Sequence, residues 1–247
     1  MNFKTLLAYS AVLFFVTFFV TSCKKNSDTS PSGVSSKLKL YIEDARATPY
    51  GTIDSFSVGY DNNNRITSLT GKSLRFAYAY NGSTGYTMDL FELGQLSIHE
   101  IGFIKGSYVD STYQINNTQD TTTEKYIYNG TQLTSRITYD YSGGRPVVYD
   151  RENYTYDGSG NLIKTVQLDG TTTTYTYTDK PFQLTVNPTY QPIQAKNLPA
   201  TAKQTDGGGN TLSTVTYSYQ FDSQGRVVNE TDALGGGYVV IKSYVYQ

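Results

Sequence analysis

Hydrophobic and polar positions alternate with a period of two over most of the chain. From residue 37 onward, aromatic or aliphatic side chains recur at every second position, with Ser, Thr or charged residues between them. The segment SFSVGY, for example, places Phe56, Val58 and Tyr60 on one face of an extended chain. This period is typical of half-buried β-strands. The pattern therefore predicts strands throughout this region and no helix.

Short polar turns join the predicted strands, so that the repeating unit is a hairpin. The clearest copies begin at Ser55, Lys125, Asn153 and Ser218. Four dipeptides adopt positive φ at low cost and suit tight turns, namely Asn81-Gly82, Asn129-Gly130, Asp157-Gly158 and Asp169-Gly170. Successive antiparallel hairpins need no crossover. We therefore expect an all-β fold: an antiparallel up-and-down meander of repeated hairpins, forming a single curved sheet or a partly open barrel.

The same alternation predicts which side chains share a face. It groups Leu133, Ile137 and Tyr139 on one side of a strand, and Tyr154 with Tyr156 on one side of another. The opposite positions are mostly Thr, Ser or charged residues. An antiparallel sheet with one packed and one solvated face shows this pattern.

The repeat is interrupted between residues 187 and 210. Pro188, Pro192 and Pro199 cannot donate to a strand ladder, and a run of three glycines begins at Gly207. We expect a long irregular loop or a break between two parts of one sheet. A domain boundary is the alternative, although the remaining residues make only about one and a half repeats, too few to fold alone.

Composition supports the sheet and excludes several classes of function. The chain has 24 Tyr, 11 Phe and no Trp, and aromatic residues suit pleated, half-buried surfaces. Its formal net charge of −1 gives no clustered basic face for nucleic acid. One Cys and one His exclude an internal disulfide framework and any site built on several thiols or imidazoles. We expect no cofactor and no metal.

The first residues carry an apolar segment over 6–20, interrupted only by Tyr9, Ser10 and Thr17 and preceded by Lys4. The segment is too short for a typical bilayer span, and a basic start before it is typical of a secretory signal peptide. It ends in Val-Thr-Ser-Cys, which resembles a bacterial lipobox, with the single Cys of the chain at the cleavage position. The alternative is a short membrane anchor with an incidental Cys. We expect residues 1–22 to be a lipoprotein signal peptide and Cys23 to be the lipid attachment site.

Three regions follow from this interpretation. Residues 23–36 are polar and should form a flexible tether, and residues 37–247 should form the Tyr-rich β-repeat domain. The expected partner is a membrane, bound through the lipid on Cys23. The expected location is the cell envelope, as an outer-membrane lipoprotein on either leaflet.

Two segments resemble known repeats. Residues 154–179, YTYDGSGNLIKTVQLDGTTTTYTYTD, resemble the YD repeat of Rhs-type proteins. Residues 197–232 are similar to repeats in a group of uncharacterised, Tyr-rich lipoproteins of the Bacteroidota. The resemblance implies a strand-built sheet and a lipid anchor. It supplies no catalytic residue, and there are too few repeats for the closed shell of large Rhs proteins.

Local motifs for catalysis or metal binding are incomplete. His99-Glu100 begins like a zinc-protease motif, but Phe103 occupies the position of the second His. Gly71-Lys72-Ser73 matches only the tail of a phosphate loop, and the loops at Asp61 and Asp157 lack the Gly and acid that a helix-flanked calcium loop requires. We interpret all of these as turn or sheet residues. Two triplets, which begin at Asp110 and Asp120, resemble O-glycosylation acceptors of exported Bacteroidota proteins.

Two functions from different classes remain open. The first is a non-catalytic envelope module, a scaffold or binding protein whose sheet faces an envelope protein. The second is a carbohydrate-binding surface lipoprotein accessory to glycan uptake, with exposed Tyr rings stacked on sugars. An outer-membrane barrel is a third, minor hypothesis, because its strands would need an apolar lipid-facing side. No enzyme activity is expected.

Overall fold

The computed structural model describes residues 37–49, 51–141, 144–182 and 195–247, and these residues form an all-β protein. Sixteen strands follow one another, each antiparallel to its neighbours in the chain. Their bounds are β1 (Leu38–Ala47), β2 (Ile53–Tyr60), β3 (Ile66–Thr70), β4 (Leu74–Asn81), β5 (Gly85–Glu92), β6 (Gln95–Lys105), β7 (Tyr108–Asn116), β8 (Thr121–Asn129), β9 (Gln132–Asp140), β10 (Val147–Tyr156), β11 (Leu162–Gln167), β12 (Thr172–Pro181), β13 (Asn197–Thr205), β14 (Thr211–Phe221), β15 (Val227–Leu234) and β16 (Val239–Tyr246). A single 3-10 turn at Gly235–Gly237 precedes β16.

The sheet closes into a barrel because β1 pairs with β16 as well as with β2. Tyr41 lies opposite Tyr244 across this seam, with ring centroids 5.5 Å apart. The expected all-β antiparallel meander is confirmed, whereas the expected curved or partly open sheet is wrong. Closure gives every strand two neighbours and leaves no open edge strand that could pair with another chain. No local sequence pattern marks this pairing, because its two strands lie at opposite ends of the domain.

Successive strands run in opposite directions between the two ends of the barrel. We call the end where β1 begins and β16 finishes the terminal end, and the other the distal end. Backbone hydrogen bonds join Lys37 and Gln247 at the terminal end, where the Gln247 amide donates to the Lys37 carbonyl at 2.9 Å. Residues 1–36 are outside the described part of the chain, so the predicted signal peptide, Cys23 and tether are outside it too.

Buried aliphatic side chains form a ring inside the terminal end. Each strand that begins there, except β5, has such a residue at its first or second position: Leu38, Ile66, Val109, Leu133, Leu162, Leu198 and Val227. Burying one such side chain contributes about 1.5–3 kcal/mol. The first or second position of each strand that begins at this end, apart from β5, is therefore a core position.

Bulges change the predicted faces at several places. Leu133 pairs with Tyr128 and faces inward, whereas Ile137 pairs with Lys125 on the opposite side of the strand, where only 9% of its surface is exposed. The prediction that Leu133 and Ile137 share a face is therefore wrong for this strand. A register shift between Ile127 and Tyr128 inserts an extra residue and reverses the alternation.

The second half of the predicted break is a regular strand. β13 covers Asn197–Thr205 and pairs with both β12 and β14. Pro199 fits because the β12–β13 register shifts next to it, and bulges are where Pro is tolerated within sheets. The prediction of an irregular region is wrong for this part, and residues 183–194 lie outside the described residues.

Candidate functional site: the interior of the barrel

The repeat tyrosines point into the barrel and tie neighbouring strands together at the terminal end. The Tyr128 hydroxyl donates to the Val109 carbonyl at 2.8 Å, and the Tyr246 hydroxyl donates to the Val227 carbonyl at 2.8 Å. The same bond to the preceding strand is made by Tyr80, Tyr177 and Tyr219. These hydroxyls satisfy buried backbone acceptors. The Tyr of the repeat is therefore a structural residue in these copies.

The Asp of the repeat organises the following turn. Asp222 Oδ1 accepts the backbone N–H groups of Gln224 and Arg226, both at 2.9 Å. Asp61, Asp157 and Asp206 accept the equivalent pairs of amides in their own turns. In the Asp157 turn the positive φ falls on Gly160, at 88°, so the tight turn predicted at Asp157-Gly158 is a longer Asp-anchored turn. The turn interpretation of Asp61 and Asp157 is thereby supported.

Acidic side chains share the inner face with tyrosines two residues away. Hydroxyl-to-carboxylate bonds join Tyr41 to Glu43 at 2.6 Å, Tyr126 to Glu124 at 2.5 Å and Tyr154 to Glu152 at 2.6 Å. Residues two apart in a strand point to the same side. A spacing of two residues between an acid and a Tyr, in either order, is thus a sequence signal for these pairs that the alternation of aromatic positions alone does not reveal.

The first ionic cluster centres on Arg136 of β9. Its guanidinium lies 3.4 Å from the carboxylates of both Glu124 and Glu152. Burial alone would lower the pKa of Arg136, but Glu124 and its other neighbours raise it above its ordinary value. Burial, followed by Glu152, raises the pKa of Tyr154. Arg136 is therefore charged and the Tyr154 hydroxyl is protonated near neutral pH.

Glu100 lies beside this cluster, with only 7% of its surface exposed. It accepts hydrogen bonds from the Tyr86 hydroxyl at 2.6 Å and the Gln114 amide at 2.5 Å. Burial is the main cause that raises the pKa of Glu100, and Glu124 adds to it. Within the described part of the chain, no basic side chain forms an ion pair with this carboxyl group.

The second ionic cluster lies at the seam of the barrel, on β15 and β16. Lys242 Nζ lies 2.9 Å from Glu230 Oε1 and 2.7 Å from Asp232 Oδ2, and the Tyr244 hydroxyl donates to Glu230. Burial, together with Glu230, raises the pKa of Asp232 to about 7. Burial would lower the pKa of Lys242, but the two carboxylates raise it well above its ordinary value. The two carboxylates thus favour the protonated ammonium form of Lys242.

The outer face carries Thr, Ser and charged side chains. Lys164 pairs with Thr174, and Thr174 with Lys203, in one outward row across β11, β12 and β13. His99 also lies outside, with its Nδ1 at 2.6 Å from Asp89 Oδ1. Ser111 faces outward, in register with Lys125, whereas the neighbouring Thr112 is buried inside.

The structure does not assemble the predicted site motifs into a site. Gly71-Lys72-Ser73 forms the turn between β3 and β4, and His99 lies in the middle of β6. In the described ranges, no three His, Cys, Asp or Glu side chains are grouped so that they could hold a metal ion. A helix of sufficient length and hydrophobicity to cross a membrane was not found among these residues.

Comparisons with known proteins identify the fold. No protein-family model matches the chain, and no curated protein matches it. A solved structure of a porin-like protein from Bacteroides uniformis superimposes with a TM-score of 0.64 at 13% identity, covering 87% of this chain and 98% of that one. A porin-like protein from Bacteroides vulgatus gives a TM-score of 0.63 at 12% identity, with 85% and 98% coverage. At these identities the likeness shows a shared β-barrel fold.

Proposed function

We propose that this chain is a lipid-anchored, non-catalytic module of the bacterial cell envelope with a scaffold or binding role, and that its barrel stands in water beside the membrane. The polarity of the outer face carries this proposal. Arg75, Lys125, Arg151, Lys164 and Lys203 all lie within strands and point outward. A Lys or Arg on the lipid side of a barrel costs about 2–4 kcal/mol at the bilayer midplane.

Polar residues interrupt the apolar side chains of the outer face at many places. Phe103 pairs with Ser111, Ile127 with Ser135, and Ile241 with Thr231, and the more apolar outward row of Ile101, Tyr113, Tyr139 and Val148 contains Thr123. Most repeat tyrosines and the aliphatic ring lie inside. A membrane barrel has the opposite arrangement, with apolar residues outside and a polar interior. The arrangement in this chain favours a barrel whose hydrophobic core lies inside it.

The geometry suits a tether from the membrane. The chain enters the barrel at Lys37, on the terminal end. Residues 23–36, if fully extended, would reach about 45–50 Å. A lipid on Cys23 would therefore hold the terminal end towards the bilayer and leave the distal end free. The fold shared with porin-like proteins of Bacteroides supports an envelope location.

Catalysis is not part of the proposal. The buried acids are fixed by Tyr, Gln, Arg or Lys partners, and His99 lies on the open outer surface beside Asp89. The carbohydrate-binding alternative required exposed Tyr rings on the sheet. Most repeat tyrosines point inward, whereas Tyr113 and Tyr139 lie in an outward row and Tyr149 is exposed. Few Tyr rings therefore remain on the outer face for the carbohydrate-binding alternative.

Replacement of the proposed lipid attachment site tests the anchor. We expect the full chain to incorporate labelled fatty acid and to sediment with membranes. Cys23→Ala should lose the label and leave an uncleaved or soluble product, because the thiol is the acceptor. Lys203→Ala, on the outer face, is the matched control and should behave as the unmodified chain. Membrane association and labelling that persist in Cys23→Ala would refute the anchor.

A further inference from the structure

We propose that the barrel interior holds one hard divalent cation, such as Ca²⁺, between Glu100 and Glu124, with oxygen atoms of Thr112 and Gln114 completing its shell. The four residues lie on three adjacent strands, β6, β7 and β8. This inference does not depend on the lipid anchor. It concerns an ion that the interior of the barrel would bind.

The register places all four side chains on one inner surface. Gln114 lies opposite Glu100 across β6 and β7, and Thr112 lies opposite Glu124 across β7 and β8. Glu100 and Glu124 are thus separated by one strand, and neighbouring strands lie about 4.8 Å apart. Both carboxylates project into the concave side of the barrel, where side chains from alternate strands converge.

Thr112 provides an observation independent of the acids. Its side chain is 1% exposed, and its hydroxyl has no hydrogen-bond partner among the described residues. Buried hydroxyl groups are almost always paired, so an unpaired one requires an explanation. The hydroxyl stands in the inward row between Gly102 and Glu124. A cation bound by Glu124 would give this oxygen its missing partner.

The local charge balance also calls for a cation. Glu124 and Glu152 share one guanidinium, that of Arg136, and the nearby Glu100 has no ion pair among the described residues, which leaves an excess of two negative charges when all three acids are ionised. Glu100 receives hydrogen bonds only from neutral donors among its described contacts. Uncompensated buried charge is strongly unfavourable. One divalent ion would balance the excess.

Elsewhere in the barrel, acidic side chains also lie on the inner face and most basic side chains lie on the outer face. Further inward-facing acids are Glu43, Asp54, Asp140, Asp150, Glu230 and Asp232. Among the described strand residues, the inward bases are Arg136 and Lys242, whereas the outward bases include Arg75, Lys125 and Lys203. A negative interior attracts cations and repels anions.

The chemistry of the donors selects a hard ion. Carboxylate, amide and hydroxyl oxygens are the ligands that Ca²⁺ and Mg²⁺ prefer, and Ca²⁺ tolerates irregular shells with water. The site offers two carboxylates and two neutral oxygens as ligands. It therefore differs from metal sites that are built on three or more His, Cys, Asp or Glu side chains. Thiol and imidazole ligands are not available on this inner surface.

Calorimetric titration of the full, chelator-treated chain in detergent, with CaCl₂ and then MgCl₂, tests the proposal. We expect saturable binding of one ion per chain, and a rise in the thermal midpoint as the ion is added. Glu100→Gln should weaken binding by about tenfold or more. Asp89→Asn removes an outward carboxylate on the neighbouring strand of the same hairpin, and it should leave binding unchanged.

The substitution Thr112→Val tests whether the Thr112 hydroxyl is a ligand of the ion or only a structural group. The substitution keeps the volume and removes a hydroxyl without a protein partner, so the ion-free variant should be as stable as the unmodified chain or more stable. Its affinity for the ion should fall by about three- to tenfold. The proposal fails if neither ion binds saturably, or if Glu100→Gln and Thr112→Val bind as tightly as the unmodified chain. Binding of spermidine in place of calcium would also overturn it.

Discussion

The ring of Tyr86 occupies the space that a side chain at position 102 would fill. A Cβ built on Gly102 would lie 2.1 Å from Cε1 of Tyr86. The two residues pair across β5 and β6, and both face inward. Because the ring lies over a glycine, its hydroxyl can reach the buried carboxylate of Glu100 at 2.6 Å.

Replacement of this glycine should therefore destabilise the barrel. Gly102→Ala should lower the free energy of unfolding by about 1–3 kcal/mol, since overpacking forces the ring off its position. Gly158→Ala is the control, because nothing lies within 4 Å of its built Cβ. Urea denaturation followed by circular dichroism compares the two. Equal stability of the two variants would contradict the packing described for Tyr86.

The repeat tyrosines offer a matched pair of deletions. Tyr128→Phe removes a hydroxyl that donates to the Val109 carbonyl, and should cost about 1 kcal/mol or somewhat more. The Tyr156 hydroxyl is buried without a partner among the described residues, so Tyr156→Phe should be neutral or slightly stabilising. Urea midpoints measure both. A larger loss for Tyr156→Phe would show that its hydroxyl has a partner, contrary to the assignment.

The seam cluster should respond strongly to loss of its base. Lys242→Met leaves Glu230 and Asp232 buried together without a counter-charge, and should cost about 3–5 kcal/mol. Lys125→Met breaks the exposed pair with Asp110, which should change stability by less than about 1 kcal/mol. Thermal unfolding of both variants at neutral pH checks the contrast. Similar midpoints for the two variants would mean that the acids of the seam cluster are hydrated.

Stability should fall as the pH rises from about 5 to about 7.5. The pKa of Asp232 is about 7 in the folded state and 3.8 ordinarily, so the folded protein binds this proton more tightly. Its contribution is present at low pH and is lost as the pH rises through 7. The lowered pKa of Glu230 acts in the opposite sense, but below this window.

The test is Asp232→Asn, measured as urea midpoints across the same range. The variant should show a shallower decline, with the remainder coming from Glu100, whose pKa is also raised by burial. A decline as steep as that of the unmodified chain would assign the pH dependence to other groups.

Local patterns predicted local structure well. The alternation at Phe56, Val58 and Tyr60 lies on β2 as expected, with two of the three buried. The turn at Asp222 also follows from its own residues, because Asp and the amides it caps lie within four positions. Such features depend on neighbours in sequence, which a single chain displays directly.

Contacts between distant residues were not predictable in the same way. The β1–β16 seam joins Tyr41 to Tyr244, and only the number of strands and their stagger determine whether such a seam forms. The bulge at Ile127 reversed the face of Ile137 without any Gly or Pro signal. The partners of Glu100 come from β5 and β7, so its environment depends on strand register.

We expect the barrel to fold in water and not to form a pore, because its outward positions include Lys, Arg and Thr and its core is internal. The most direct test is to purify residues 24–247, without the apolar segment and Cys23, in the absence of detergent, record their circular dichroism and sedimentation, and add them to a planar bilayer. We predict a monodisperse, β-rich protein and no conductance steps. A chain that folds only in detergent or lipid, and that opens stepwise conductances, would contradict the account.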